Sequence, residues 1–428
     1  MDDMISSRIA VSLLTVFVAL GTAACGGGGG GSGSDGGTGS GGTSASGSGG
    51  STTGGPEGLP TFSEPVQVTF VPSGQTARDP VLVAVGEDYG VAWSRYGGEL
   101  DEFTAQIHLT RIDASGTVIW DTAIDDVLGN GRAAVAHDGV GFGVAFKADT
   151  GTGTDVAVAR IADDGSRSGP TVLLSALTDV GATPDGVGLA SSPGAFGLSW
   201  VGASQTDKEA RFVRLDAELG VVGTPILLSD PAVHGSSSRT LPLWLGDAWG
   251  VVWTSTAGGT THAYYVRLSA DGGSIEAGPE ILNPNGDGGE PAVAYDGEHL
   301  AAVWSDYGPE GIPNPAILFA LFDRDGKPVV APTRISTSAS DHGPTIGYDG
   351  DIFTFVWYDD DPSHALLWLE YAAADREGSP SAEHLLREVI EGAPGPSLAA
   401  RDGQWALAFT QWVEGTDAQV FVSFAPPP

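Results

Sequence analysis

From residue 60 onward, short apolar stretches alternate with turn residues, and the alternation repeats. The block Glu290-Pro291-Ala292-Val293-Ala294-Tyr295-Asp296-Gly297-Glu298-His299-Leu300-Ala301-Ala302-Val303-Trp304 matches Gly343-Pro344-Thr345-Ile346-Gly347-Tyr348-Asp349-Gly350-Asp351-Ile352-Phe353-Thr354-Phe355-Val356-Trp357. Each predicts a strand, a tight turn and a second strand closed by an aromatic residue. The same block recurs around Asp138-Gly139 and Asp402-Gly403, and in degenerate form around residues 86–88, 193–194 and 246–247. An Asp-Gly pair supplies the positive φ angles of a two-residue hairpin turn. A third strand follows, as in Val156–Ile161 or Ile317–Phe322. A turn ends at Gly116, Gly165, Gly220, Gly272, Gly326 or Gly378, and a fourth strand such as Pro225–Leu228 completes the unit. The 3.6-residue spacing of an amphipathic helix is missing.

The closing aromatics are Trp93, Phe146, Trp200, Trp253, Trp304, Trp357 and Phe409, spaced by 53, 54, 53, 51, 53 and 52 residues. A period near fifty with four antiparallel strands per unit is the pattern of a β-propeller. The expected fold is therefore all-β, a seven-bladed β-propeller of four-stranded antiparallel blades. The seventh unit supplies only three strands, near residues 397–400, 405–411 and 418–424. Residues 64–70, Glu-Pro-Val-Gln-Val-Thr-Phe, read as the missing fourth and are expected to complete the last blade. Such closure removes exposed sheet edges. The repeated aromatics are expected to pack between blades, each contributing about 1.5–3 kcal/mol.

The first 59 residues have another character. Residues 1–24 read as a signal peptide, with Arg8 before an apolar run from Ile9 to Leu20 that is short for a membrane span. Cys25, the one cysteine of the chain, follows Gly21-Thr22-Ala23-Ala24. Residues 25–59 form a Gly/Ser-rich tether of the kind that stays disordered and spans on the order of 30 Å. The propeller would occupy residues 60–428. The chain carries 54 acidic against 19 basic residues, a net charge of -35. That surplus argues against nucleic acid as a partner and against docking on anionic lipid, and it favours solubility.

Candidate chemistry gathers where the loop between the second and third strands and the start of the first strand open on one face, at the channel mouth. Arg78, Asp79, Arg132, Arg239, Glu290, His342 and Asp341 lie at first-strand starts. Asp306 and Tyr307, and Tyr358-Asp359-Asp360-Asp361, lie in the second loops. The candidate ligand-binding set is Arg78, Asp79, Arg132, Arg239, Glu290, Asp306, Tyr307, His342, Tyr358 and Asp359. No catalytic residue, metal ligand or cofactor is expected. The eight histidines lack metal spacing, no Gly-x-Ser-x-Gly elbow occurs, and the Asp323-Arg324-Asp325-Gly326 loop lacks the closing Glu of a calcium loop.

The segment ending at Cys25 resembles a lipobox, although Thr22 stands where that motif usually has Leu. With the tether and the Pro-x-Val-Ala-Tyr-Asp-Gly-x-x-x-x-x-Val-Trp repeat, nearly the whole chain resembles the glycine-tethered β-propeller lipoproteins of Gram-negative, myxobacterium-like cell envelopes. The resemblance implies a lipid anchor on Cys25 as the membrane contact. Because Gly26 rather than aspartate follows the cysteine, it also implies the outer membrane. The expected function is binding or scaffolding of an envelope protein or glycan. The alternatives are a surface-attached polysaccharide hydrolase or lyase using channel carboxylates such as Asp79, Glu290, Asp306 and Asp359, and an outer-membrane assembly scaffold.

Overall fold

The computed structural model describes residues 56–426 except 57, 99, 101–103, 152, 175–184, 204–207, 285, 309–314, 339, 361–366, 390–394 and 414–416. The expected signal segment, Cys25, the tether up to residue 55, and Asp361 lie outside the described residues.

A short strand, β1 (Val66–Gln67), comes first. The meander β2 (Gln75–Val85), β3 (Asp88–Gly97) and β4 (Ala105–Ile112) runs into the 20-residue β5 (Val118–His137). Then β6 (Gly141–Asp149), β7 (Thr154–Ala162) and β8 (Val172–Leu173) extend the same sheet to seven strands. A four-stranded sheet of β9 (Asp185–Ser192), β10 (Ala195–Ala203), β11 (Lys208–Asp216) and β12 (Val221–Leu227) follows. After one helical turn, α1 (Pro231–His234), come β13 (Ser236–Trp244), β14 (Trp249–Ala257), β15 (Thr260–Leu268) and β16 (Ile275–Ile281). The next two sheets are β17 (Gly288–Tyr295), β18 (Leu300–Asp306), β19 (Ala316–Phe322) and β20 (Pro328–Arg334), then β21 (Asp341–Tyr348), β22 (Phe353–Asp359), β23 (Leu367–Ala374) and β24 (His384–Val389). The last sheet joins β25 (Ser397–Arg401), β26 (Gln404–Trp412) and β27 (Ala418–Ala425) to β1. Among the described residues no helix is long and apolar enough to cross a membrane.

Burial explains the order within a sheet. Middle strands such as β22 are buried on both faces, whereas fourth strands such as β16 and β20 are largely exposed. First strands face inward: β2, β5, β9, β13, β17, β21 and β25 contact one another in that order, and β25 contacts β2. The core is split into layers between neighbouring meanders. One such layer places Tyr265 and Val252 against Trp304 and Phe322, and another places Phe319 against Phe353, Phe355 and Trp357. All seven repeated aromatics are at most 4% exposed.

β1 pairs antiparallel with β27, Val66 opposite Val422 and Gln67 opposite Phe421. The pairing reaches beyond the strand itself. The Ser63 amide donates to the Phe424 carbonyl at 2.7 Å, the Val68 amide to the Val420 carbonyl at 3.0 Å, and the Thr69 hydroxyl to Gln419 Oε1 at 3.0 Å.

Two details depart from the sequence expectation. The fourth strand of the first unit and the first strand of the second are one continuous strand, β5, which pairs with β4 through Val118–Ile124 and with β6 through Leu128–His137. In addition, Asp138, Asp296 and Asp349 do not take positive φ. Each carboxylate instead accepts hydrogen bonds from the amides two and three residues on, and only the following glycine is left-handed. An Asx turn thus replaces the two-residue hairpin turn. Asp402-Gly403, with φ of 45° and 77°, keeps the predicted pair of positive angles.

Candidate functional site

The first strands share a local irregularity. Pairing with the second strand shifts register between Arg78 and Val81, Asn130 and Ala134, Ser237 and Thr240, Gly289 and Ala292, and His342 and Thr345. Such bulges re-aim side chains. At four of these bulges Asp79, Gly131, Glu290 and Gly343 have φ of 61°, 79°, 53° and 61°, and Gly186 has 70° at the register shift of β9. The residue after the positive-φ position is Pro80, Pro291 or Pro344 in three repeats but Arg132 in a fourth, and Arg239 sits within the β13 bulge after Ser238. The repeat therefore puts guanidinium groups at a position that elsewhere carries an uncharged ring.

These residues border a cavity of about 520 Å³ between the first strands, lined by Arg132, Lys147, Arg239 and Glu290 and by glycines and aliphatic side chains of the channel wall. Its walls are close-packed. At Gly186 an added Cβ would sit 2.6 Å from the Ser238 carbonyl oxygen.

Burial, and then the like charge of Arg239, push Arg132 down to about 10, with Asp79 and Tyr358 acting the other way. One Arg132 amine reaches the Pro80 carbonyl at 3.3 Å. Burial also lowers Arg239, partly offset by the Glu290 charge. Arg239 has no hydrogen bond or ion pair among the described residues.

Asp79 accepts a hydrogen bond from the Tyr96 hydroxyl at 2.8 Å. Burial raises its carboxyl above the usual range, against Tyr96, Arg132 and Arg78. Glu290 Oε2 accepts from the Gly343 amide at 2.8 Å and the Ser305 hydroxyl at 3.2 Å, so it ties β17 to β21. The Tyr358 hydroxyl is buried without a hydrogen-bond partner, and burial holds its phenol well above the ordinary value. The His342 ring lies 5.9 Å from that of Tyr358.

Arg132, Arg239 and Glu290 thus meet at the cavity, with Asp79, Arg78 and Tyr358 in the electrostatic surroundings of Arg132 or Asp79. Tyr307 is 39% exposed beside Gly289, and Glu290 contributes to raising its phenol after burial. Asp306 serves its own loop, accepting from the Gly308 amide at 2.8 Å and the Trp304 indole at 3.3 Å. Sequence reasoning placed Tyr96, in the loop Ser94-Arg95-Tyr96, on this face without giving it a role, and missed Lys147. Lys147 immediately follows the closing aromatic Phe146, a place where Ser94 and Ser305 stand in other repeats, and that contrast was the available signal.

Asp359 belongs to a different group. It sits with Asp341 and Glu370 inside the sheet of β21 to β24, with carboxylate oxygens within 4.8 Å of one another. Burial, then the neighbouring carboxylates Asp359 and Glu383, raise Asp341 to about 7. Burial, then Glu383, Asp341 and Asp359, raise Glu370 to about 8.

No family model matches this sequence, and no curated protein does. Similar solved structures include a protein of unknown function from Dyadobacter fermentans DSM 18053, at TM-score 0.52 and 12% identity over 86% of this chain and 100% of that one. The β-propeller domain of the Trilobed protease from Pyrococcus furiosus matches at TM-score 0.49 and 12% identity, over 83% of this chain and 94% of that one. Trypanosoma rangeli sialidase matches at TM-score 0.45 and 12% identity over 82% of this chain, which spans only 55% of the sialidase. At these identities the likeness concerns fold alone. The successive antiparallel meanders, with first strands that face inward and contact one another in order, are themselves the architecture of a β-propeller.

Proposed function

We propose that this chain is a cell-envelope lipoprotein whose seven-bladed propeller, closed by residues 64–70, binds a carboxylate-bearing glycan unit in its central channel without transforming it. Seven evenly spaced aromatics, the circular order of first-strand contacts and the pairing of Val66 with Val422 support that count and closure. Cys25, the apolar run before it and the Gly/Ser tether support the anchor.

The observation that carries the ligand reading is Arg239, a cation facing a cavity without a hydrogen-bonding partner, beside the like charge of Arg132. Arg239 is half-buried and only partly offset by the Glu290 charge, and a guanidinium withdrawn from water without a hydrogen bond is costly. A carboxylate between the two guanidiniums would satisfy both, because its two oxygens match the planar fork of arginine. About 520 Å³ falls in the range of small-ligand sites. Asp79 and Glu290 are each engaged in hydrogen bonds within the wall, which suits positioning better than proton transfer.

Calorimetric titration with short uronic-acid oligomers and their neutral counterparts tests the reading. The acidic oligomers should bind and the neutral ones should not. Arg239→Ala should weaken binding about 10- to 100-fold, the range of a charge-assisted hydrogen bond. Equal binding of neutral sugars, or no response to Arg239→Ala, would refute it.

A further inference from the structure

We propose that Asp341, Asp359 and Glu370 form a calcium-binding site within the sheet of β21 to β24. Asp341 opens β21 directly opposite Asp359 at the end of β22, and Glu370 on β23 pairs with Trp357. The three residues are 0%, 2% and 8% exposed. Their oxygens lie within 4.8 Å of one another.

Neither oxygen of the Asp341 carboxylate makes a well-formed hydrogen bond, although the Ser336 hydroxyl and the Trp357 indole are near enough to favour its charge. A buried carboxylate in that condition is strongly disfavoured unless a cation or proton joins it. The charges that act on Asp341 are those of Asp359 and Glu383, and those on Glu370 are Glu383, Asp341 and Asp359, all acidic.

The fold does not require these acids. In the other repeats the residue paired with the closing aromatic is His108, Ala157, Arg211, Tyr264, Leu318 or Phe421. Only in this repeat is it a carboxylate, and only here do two further acids join it.

The donor set selects the ion. Three carboxylates and no nitrogen or sulfur donor suit a hard cation, and Ca²⁺ accepts an irregular, protein-only oxygen shell more readily than Mg²⁺, which demands a near-ideal octahedron and keeps its waters. Zn²⁺ favours nitrogen and sulfur donors, which this group lacks. Ser338, whose hydroxyl bonds Asp359 at 2.8 Å, and Ser336, beside Asp341, flank the acids. Water would complete the six to eight oxygens that calcium takes.

The test uses the full chain freed of metal with a chelator and titrated with Tb³⁺, a luminescent stand-in for Ca²⁺. The Trp357 indole donates to Glu370 at 3.2 Å, so it should sensitise the ion's emission. Expected results are saturable emission that Ca²⁺ displaces and a melting temperature that rises with CaCl₂. In Asp341→Asn and Glu370→Gln the affinity should fall at least about tenfold, as removal of a metal's supporting groups does. Absence of emission in the wild type, or a Ca²⁺ effect unchanged in both variants, would overturn the site and leave only diffuse binding to the acidic surface. If those variants fail to fold, Trp357→Phe decides. Because Trp368 pairs with Asp359, Trp368→Phe is combined with it; loss of emission with the Ca²⁺-dependent melting shift retained supports the site, and retained emission refutes it.

Discussion

Asp79 and Glu290 hold φ angles of 61° and 53° where equivalent positions carry Gly131, Gly186 and Gly343. A side chain in that region costs about 1–2 kcal/mol, so the hydrogen bonds of Glu290 to the Gly343 amide and Ser305 must offset it. Two substitutions separate these terms. Glu290→Ala keeps the strain and loses the bonds, and should destabilise by about 1–3 kcal/mol in urea denaturation. Glu290→Gly loses the same bonds but relieves the strain, and should cost less; the reverse order would remove strain from the account. At the Asp296 turn, burial alone would raise the carboxyl. The His299 and Glu298 amides and Arg376 outweigh it, and the group lies below 3.8 when folded. Its contribution is therefore present above the unfolded value of about 4 and is lost as pH falls through the folded value. As pH falls below about 4 the melting temperature of Asp296→Asn should fall less steeply than that of the wild type.

Among the elements, the strand at residues 66–67 and the layers between sheets matter most. Gln67 and Phe421 face each other across the β1–β27 pairing, and the neighbouring Val68–Val420 pair carries the ladder hydrogen bond. Gln67 and Phe421 thus form the non-hydrogen-bonded kind of pair, with Cα atoms about 4.5 Å apart, within reach of a disulfide. In a Cys25→Ser background, Gln67→Cys with Phe421→Cys should cross-link on oxidation and raise the melting temperature. Failure to cross-link in the folded protein would contradict the closure. In the inter-sheet layers, Trp253 stacks on Tyr264 at 5.5 Å and its indole N–H has no partner. Trp253→Ala should cost about 3–5 kcal/mol in urea unfolding. Trp253→Phe should cost distinctly less, because it also removes a buried unsatisfied donor.

For the whole molecule, a net charge of -35 surrounds a channel lined by Arg132, Lys147 and Arg239. The exterior repels an acidic ligand that the channel attracts. Over the first steps from low ionic strength to about 0.15 M salt, screening over a Debye length near 8 Å should therefore speed association rather than slow it. Stopped-flow rates with a uronic-acid oligomer would show this, and a monotonic fall with salt would place the dominant field in the channel instead. Cys25→Ser should move the protein from the membrane fraction to the soluble one in fractionated cells.

The chain itself determined most of the strands and the burial of Trp93 through Phe409, though not the fusion of two units through β5, because alternation, turn residues and a fixed period are local properties that any window of residues displays. The partner of the last sheet was also legible, since Val66-Gln67-Val68 has the pattern of a strand without a hairpin of its own. Tertiary structure decided the rest. Charged loop residues look alike in sequence, yet Arg239 meets Arg132 and Glu290 at a cavity, while Asp306 caps its own loop and Asp359 turns inward to Asp341 and Glu370. Burial and the approach of distant backbone assign those roles, and both depend on how neighbouring sheets pack rather than on the order of residues within one repeat.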